Sequence, residues 1–114
     1  MNTTTLKAVT MHLQAEKGGS FLVRNSGGYV ARFSVFYKYE GQDFTKDSGN
    51  FTAGVNKSID VPSGATDIGL KVEAAWFIKS WTTIFTQNYA SPVTKCYEIS
   101  GTTLNTKWKE TACR

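Results

Sequence analysis

Histidine occurs once in this chain, at position 12, and cysteine and proline occur twice each. Those scarcities exclude several classes of chemistry. A Ser-His-Asp or Cys-His triad would have to use His12, and nothing around His12 resembles a nucleophile site. His12 alternates with Val9, Met11 and Leu13, which puts it on the polar side of a candidate strand. A zinc site needs three or four ligands, and one histidine with two distant cysteines does not supply them. Asp43 and Asp47 have neither the spacing nor the acidic density of an EF-hand. Phosphate-binding and dinucleotide fingerprints are missing too. The reading is therefore a protein without cofactor or metal and not an enzyme. Two cysteines do not make a disulfide scaffold; Cys96 and Cys113 form either one bridge or two free thiols.

Long apolar runs are also missing. No stretch of 18 apolar residues is present, so no helix crosses a bilayer. Met1 to Thr5 has neither the basic start nor the apolar core of a signal peptide. The expectation is a chain that is cytoplasmic, exported by another route, or cut from something larger; its location stays open. The net charge is only +4. Lys71, Lys79, Lys95, Lys107 and Lys109 are too dispersed for the basic stripe of a nucleic-acid binder.

Aromatic residues are plentiful, at 13% of the chain: seven Phe, five Tyr and three Trp. With many Thr and Val, they favour strands. Ser20 to Arg24 is a short apolar run, followed by a strong turn signal at Asn25-Ser26-Gly27-Gly28. Tyr29, Ala31, Phe33, Val35, Tyr37 and Tyr39 then line one face of a long strand. Glu40 to Asn50 reads as a polar, glycine-punctuated stretch. Val55 to Val61 is a strand that ends at Pro62-Ser63-Gly64. Ile68 to Trp76 and Trp81 to Phe85 follow; Val93, Tyr97 and Ile99 share a face, and Thr102 to Trp108 closes the series. No segment holds a 3.6-residue period. The expected fold is all-β: a single domain over residues 1–114, an antiparallel two-sheet β-sandwich of about 7–8 strands.

One segment breaks the pattern. Ile68, Leu70, Val72, Ala74 and Trp76 alternate, but Trp76, Phe77 and Ile78 are consecutive and cannot all face one core. No Gly, Pro, Asn or Asp stands between Leu70 and Gln87. The segment is either one long strand buried on both faces, with Trp76 and Trp81 in the core, or an apolar loop exposed at a strand end.

From Asn25-Ser26-Gly27-Gly28-Tyr29-Val30-Ala31-Arg32-Phe33 onward the chain resembles the C-terminal domain of the cholesterol-dependent (thiol-activated) cytolysins. The resemblance continues through Thr52-Ala53-Gly54, then Ile59-Asp60-Val61 to Ile68-Gly69-Leu70-Lys71, and ends in Ile99-Ser100-Gly101-Thr102-Thr103-Leu104. It implies a β-sandwich that stands with one end on a membrane and touches it through four loops. The family's cholesterol-recognising Thr-Leu pair falls on Thr103 and Leu104. Two smaller loops fall at Gly28, where the family usually has Ala, and at Ala53. The family's Trp-rich undecapeptide falls on Glu73 to Thr82, which includes Trp76, Phe77, Ile78 and Trp81. Here it is about two residues shorter, its Cys is absent, and Thr82 replaces its closing Arg. The resemblance implies a stand-alone membrane-binding module directed at a membrane surface or sterol. The pore-forming domains are not in this sequence, so no pore formation of its own is expected. The other expectations are a glycan- or protein-binding sandwich, with Tyr89, Trp76 and Trp81 as sugar-stacking aromatics, and a targeting subunit that acts with a partner protein chain.

Overall fold

Alternating side chains dictate the strands. Along Val30–Tyr39 every second residue from Ala31 to Tyr39 is buried, and along Thr66–Ala75 the same holds from Ile68 to Ala74. A period of two puts successive side chains on opposite faces, so each strand offers one apolar face to a common core. The computed structural model describes residues 16–76 and 80–113. The candidate strand around Val9, Met11 and Leu13, with His12, lies outside the described residues, as do Phe77, Ile78 and Lys79.

Eight strands are described: β1 (Lys17–Asn25), β2 (Val30–Tyr39), β3 (Gln42–Asp47), β4 (Asn56–Pro62), β5 (Thr66–Ala75), β6 (Trp81–Tyr89), β7 (Thr94–Thr102) and β8 (Asn105–Thr111). They form two four-stranded sheets, ordered β4-β1-β7-β8 and β3-β2-β5-β6. The all-β sandwich expected from the sequence is the observed fold. In one respect it differs from an all-antiparallel arrangement: β1 and β7 run parallel, with Ser20 opposite Thr94 and Asn25 opposite Ile99. The partners are far apart in sequence, and a parallel pair leaves no local signature such as a hairpin turn.

β3 is a second difference. Glu40 to Asn50 reads as a polar connection, yet Gln42–Asp47 pairs with β2. Only Phe44 is apolar there; its ring stacks on Tyr37 at 5.8 Å and meets Tyr39 edge-on at 6.5 Å. β3 is an edge strand held mainly by backbone pairing, so it carries little apolar pattern.

Phe21, Val23, Ile59, Val61, Tyr97 and Ile99 of the first sheet face Phe33, Val35, Ile68, Leu70, Val72 and Phe85 of the second. Side chains also close both open flanks. On one, Trp108 of β8 stacks on Phe85 of β6 at 4.2 Å. On the other, the Lys46 ammonium donates to the Asp60 carbonyl at 2.8 Å.

Cys96 and Cys113 are bridged, with their Cα atoms 5.3 Å apart. Cys96 lies opposite Thr111 in the β7–β8 pair, while Thr102 and Asn105 meet at the other end of that hairpin. The bridge therefore clamps the hairpin at the end away from its turn. A Cys96→Ala/Cys113→Ala variant is expected to lose about 3 kcal/mol of stability, since the bridge closes a loop of this modest size. Urea unfolding of the variant, or of the native chain with and without reductant, measures it.

Candidate functional site

Strand directions bring four connections to one end of the sandwich. β1 and β7 run toward it; β2, β4 and β8 start from it; β5 ends there beside the start of β2, with Val30 opposite Ala75. The connections are 26–29, 48–55, 76–80 and 103–104. The positions singled out by sequence, Gly28, Ala53, Trp76, Thr103 and Leu104, all fall within them.

Asn25, the last residue of β1, organises this end. It is fully buried and is the one buried polar or charged side chain among the described residues. Its Nδ2 donates to the Tyr29 carbonyl at 2.9 Å and to the Phe51 carbonyl at 3.3 Å, and its Oδ1 accepts from the Gly27 N–H at 2.9 Å. Its backbone N–H donates to the Val55 carbonyl at 3.0 Å, and its carbonyl accepts from Gly54 at 2.7 Å. One side chain thus holds 26–29 against 48–55. The tie to the β7–β8 turn comes from neighbouring residues. Ser26 N–H donates to the Ile99 carbonyl, Gly28 N–H to the Gly101 carbonyl, and the Tyr29 hydroxyl to the Ser100 carbonyl at 2.8 Å. Burial pushes the Tyr29 phenol up to about 12, so it stays a donor at neutral pH. The Ser26 hydroxyl and the Lys109 ammonium hold the Glu98 carboxyl below its ordinary range.

Glycine is required at one of these positions and replaceable at another. Gly101 has φ +86°, and a Cβ there would come within 2.2 Å of the Asn105 carbonyl oxygen. Gly28 is free of that constraint: its nearest neighbour to an added Cβ is the Gly101 oxygen at 3.9 Å. An alanine fits there.

The β5–β6 segment divides in two. Ile68, Leu70, Val72 and Ala74 face the core, and the strand stops at Ala75. Trp76 is 64% exposed, and Leu104 is 98% exposed at the tip of the β7–β8 turn. Together with Ser80, Thr102 and Thr103 they line an open groove of about 540 Å³. Glu73 to Ala75, matched to the Trp-rich undecapeptide, belong to β5, and Phe77 and Ile78 lie outside the described residues.

Trp81 lies apart from the groove. It is the first residue of β6, half-buried, and pairs with Ala75. The Arg32 guanidinium sits over its ring at 3.8 Å and reaches Glu73 at 3.0 Å through Nε. Such a cation–π contact fixes the ring to the outer face of the second sheet. Tyr89 is at the opposite end: it pairs with Ile68, packs on Phe21 at 5.6 Å, and its hydroxyl bonds that of Tyr97. Trp76, Trp81 and Tyr89 therefore do not form one aromatic platform. No group of three His, Cys, Asp or Glu that could hold a metal ion occurs among the described residues.

Sequence reasoning missed Asn25, Arg32, Ser80 and Thr102. Asn25 opens a recognisable turn signal, but its burial depends on three segments meeting. Arg32 reads as an ordinary polar-face residue until Glu73 and Trp81 are placed beside it.

Asn25→Ala strands two carbonyls and one N–H in the interior. Each unsatisfied buried group costs about 1–3 kcal/mol, so a loss of roughly 3 kcal/mol or more is expected. Gly28→Ala is expected to stay within about 0.5 kcal/mol of the parent, as ordinary surface substitutions do. Thermal unfolding of the two variants side by side checks both.

Comparison with known proteins agrees with this geometry. The family model described as the thiol-activated cytolysin beta sandwich domain matches residues 20–107. No curated protein sequence matches significantly. Among solved structures, a Gram-negative toxin aligns at 26% identity and a TM-score of 0.60, covering 86% of this chain and 23% of that one. Listeriolysin O aligns at 22% identity and 0.61, covering 84% of this chain and 22% of its own. The membrane-binding domain of pneumolysin aligns at 18% identity and 0.62, over 84% of this chain and 97% of that domain. This chain thus spans less than a quarter of the length of the two longer toxins and nearly the whole of the isolated domain. The matched segment runs from β1 into β8 and takes in all four connections, and on that extent the chain belongs to the thiol-activated cytolysin β-sandwich domain family.

Proposed function

We propose that this domain is a membrane-binding module that seats its four-loop end in the bilayer interface, with a sterol as the target of Thr103 and Leu104. The observation that carries the reading is the pairing of Trp76 and Leu104, two large apolar side chains held out in water beside one groove. A leucine 98% exposed at a turn tip contributes nothing to the core. Moved into a bilayer, it gains about 1.5–3 kcal/mol. Tryptophan suits the interface because its ring is buried while its N–H stays wet. Phe77 and Ile78 follow Trp76 in sequence and would add apolar anchors. Membership of the family and the fold shared with the pneumolysin membrane-binding domain support the same reading.

Each contact has a chemical role. The Thr103 hydroxyl would bond a sterol hydroxyl while Leu104 lies against the fused rings. Gly28 and Ala53 would be low points that let the end approach the surface. Trp81, pinned beneath Arg32, would brace the base of the Trp76 loop rather than enter the lipid. The domain would bind without opening a pore.

Sedimentation with cholesterol-containing and cholesterol-free vesicles tests this. The parent chain is expected to pellet with the sterol vesicles and to release no trapped dye. Leu104→Ala is expected to weaken that binding about tenfold or more, from the apolar area it withdraws. Its melting temperature should be unchanged, because Leu104 is almost fully exposed. A folded parent chain that pellets with neither vesicle would refute the membrane reading. Equal binding to both would refute the sterol.

A further inference from the structure

The two ends of the sandwich differ in charge. At the loop end, 26–29, 48–55, Trp76, Ser80 and 103–104 contain no Asp or Glu. Glu73 and Glu98 near that end are neutralised. Glu73 is met by Arg32 at 3.0 Å and Lys71 at 3.9 Å, and Glu98 by Lys109 at 3.4 Å. Asp47, which abuts 48–55 and accepts from the Gly49 N–H at 2.8 Å, is exposed and has no ion pair among the described residues. The opposite end carries Glu40 in the β2–β3 turn, Asp43 just after it and Asp67 at the start of β5. All three are exposed, and none makes an ion pair among the described residues.

Exposed cations without an ion pair among the described residues stand near the loop end. Lys107 is opposite Ser100, two residues below the Thr102–Asn105 pair that closes the β7–β8 turn. Two residues of strand cover about 7 Å, within a Debye length of a surface touched by that turn. Lys57 is the second residue of β4 and Arg24 the penultimate residue of β1; both are exposed on the same sheet. Three such cations against Asp47 at the loop end, and three carboxylates against Lys38 at the far end, give the domain a charge polarity directed along its strands.

We infer that the loop end prefers anionic phospholipid headgroups, with Arg24, Lys57 and Lys107 as the headgroup contacts. The carboxylates of the far end are repelled by the same surface, so the polarity also turns the domain loop end down before any apolar side chain inserts. This rests on the membrane reading above and adds the lipid class to it. By charge complementarity, a negative surface attracts the end where cations outnumber carboxylates and disfavours the one where carboxylates outnumber cations.

Vesicles of phosphatidylcholine and cholesterol are compared with vesicles in which a third of the phosphatidylcholine is replaced by phosphatidylserine, each at low and high salt. Phosphatidylserine is expected to tighten binding about thirtyfold or more at low salt, as two or more basic residues near such a surface would. High salt should erase most of that gain. Lys57→Gln/Lys107→Gln should bring the ratio between the two vesicle types down to about fivefold or less, the share left to Arg24, while Lys38→Gln at the far end keeps it, because attraction fades within a Debye length. Equal binding of the parent chain to both vesicle types, or a phosphatidylserine gain that salt leaves intact, would overturn the inference while sparing the membrane reading. Binding to neither would overturn both.

Discussion

The loop end depends on one buried amide. Asn25 is surrounded by core, and its side chain makes three hydrogen bonds to the backbones of two connections. Irregular backbone at the end of a sandwich faces a basic problem: its polar groups turn inward with no strand beside them to pair. A single asparagine, with two donors and an acceptor, meets that need at the junction of 26–29 with 48–55. The groove lies next to this junction rather than on it. Trp76 and Leu104 stand on the other two connections, beside the groove.

Around that junction the sandwich divides its work. Paired strands, the stacked Phe85 and Trp108, and the clamped β7–β8 hairpin make a stiff frame. The outer face of the second sheet adds Arg32, which links Glu73 of β5 to Trp81 of β6. A rigid scaffold that displays short loops fixes recognition geometry without ordering long segments on contact. The far end presents the exposed carboxylates of Glu40, Asp43 and Asp67.

Much of the fold was legible. The alternation in Tyr29 to Tyr39 and Ile68 to Ala74 marks core strands, because an antiparallel sheet half exposed to water must alternate. β3 was not legible, because Phe44 alone carries its apolar signal. Nor was the parallel β1–β7 pair, because register between distant segments is set by the whole assembly. The site was partly legible. Three successive apolar residues at Trp76 announced that the strand pattern had ended, and the break falls one residue beyond the end of β5. The separate fates of the two tryptophans were hidden: Trp76 leaves the sheet, while Trp81 is retained by a cation from β2 that no local pattern ties to it.

Both cysteines are committed to the scaffold, and none stands in the four connections. In a family named for its response to thiols, that moves redox chemistry from the loops to the frame. Alkylating reagents find no sulfur to modify at the loop end, and oxidants find none to cross-link between neighbouring molecules there. Reduction would act instead on the base of one hairpin, loosening from the far side the turn that carries Leu104. In this domain the sulfur chemistry bears on the rigidity of a hairpin rather than on the chemistry of contact.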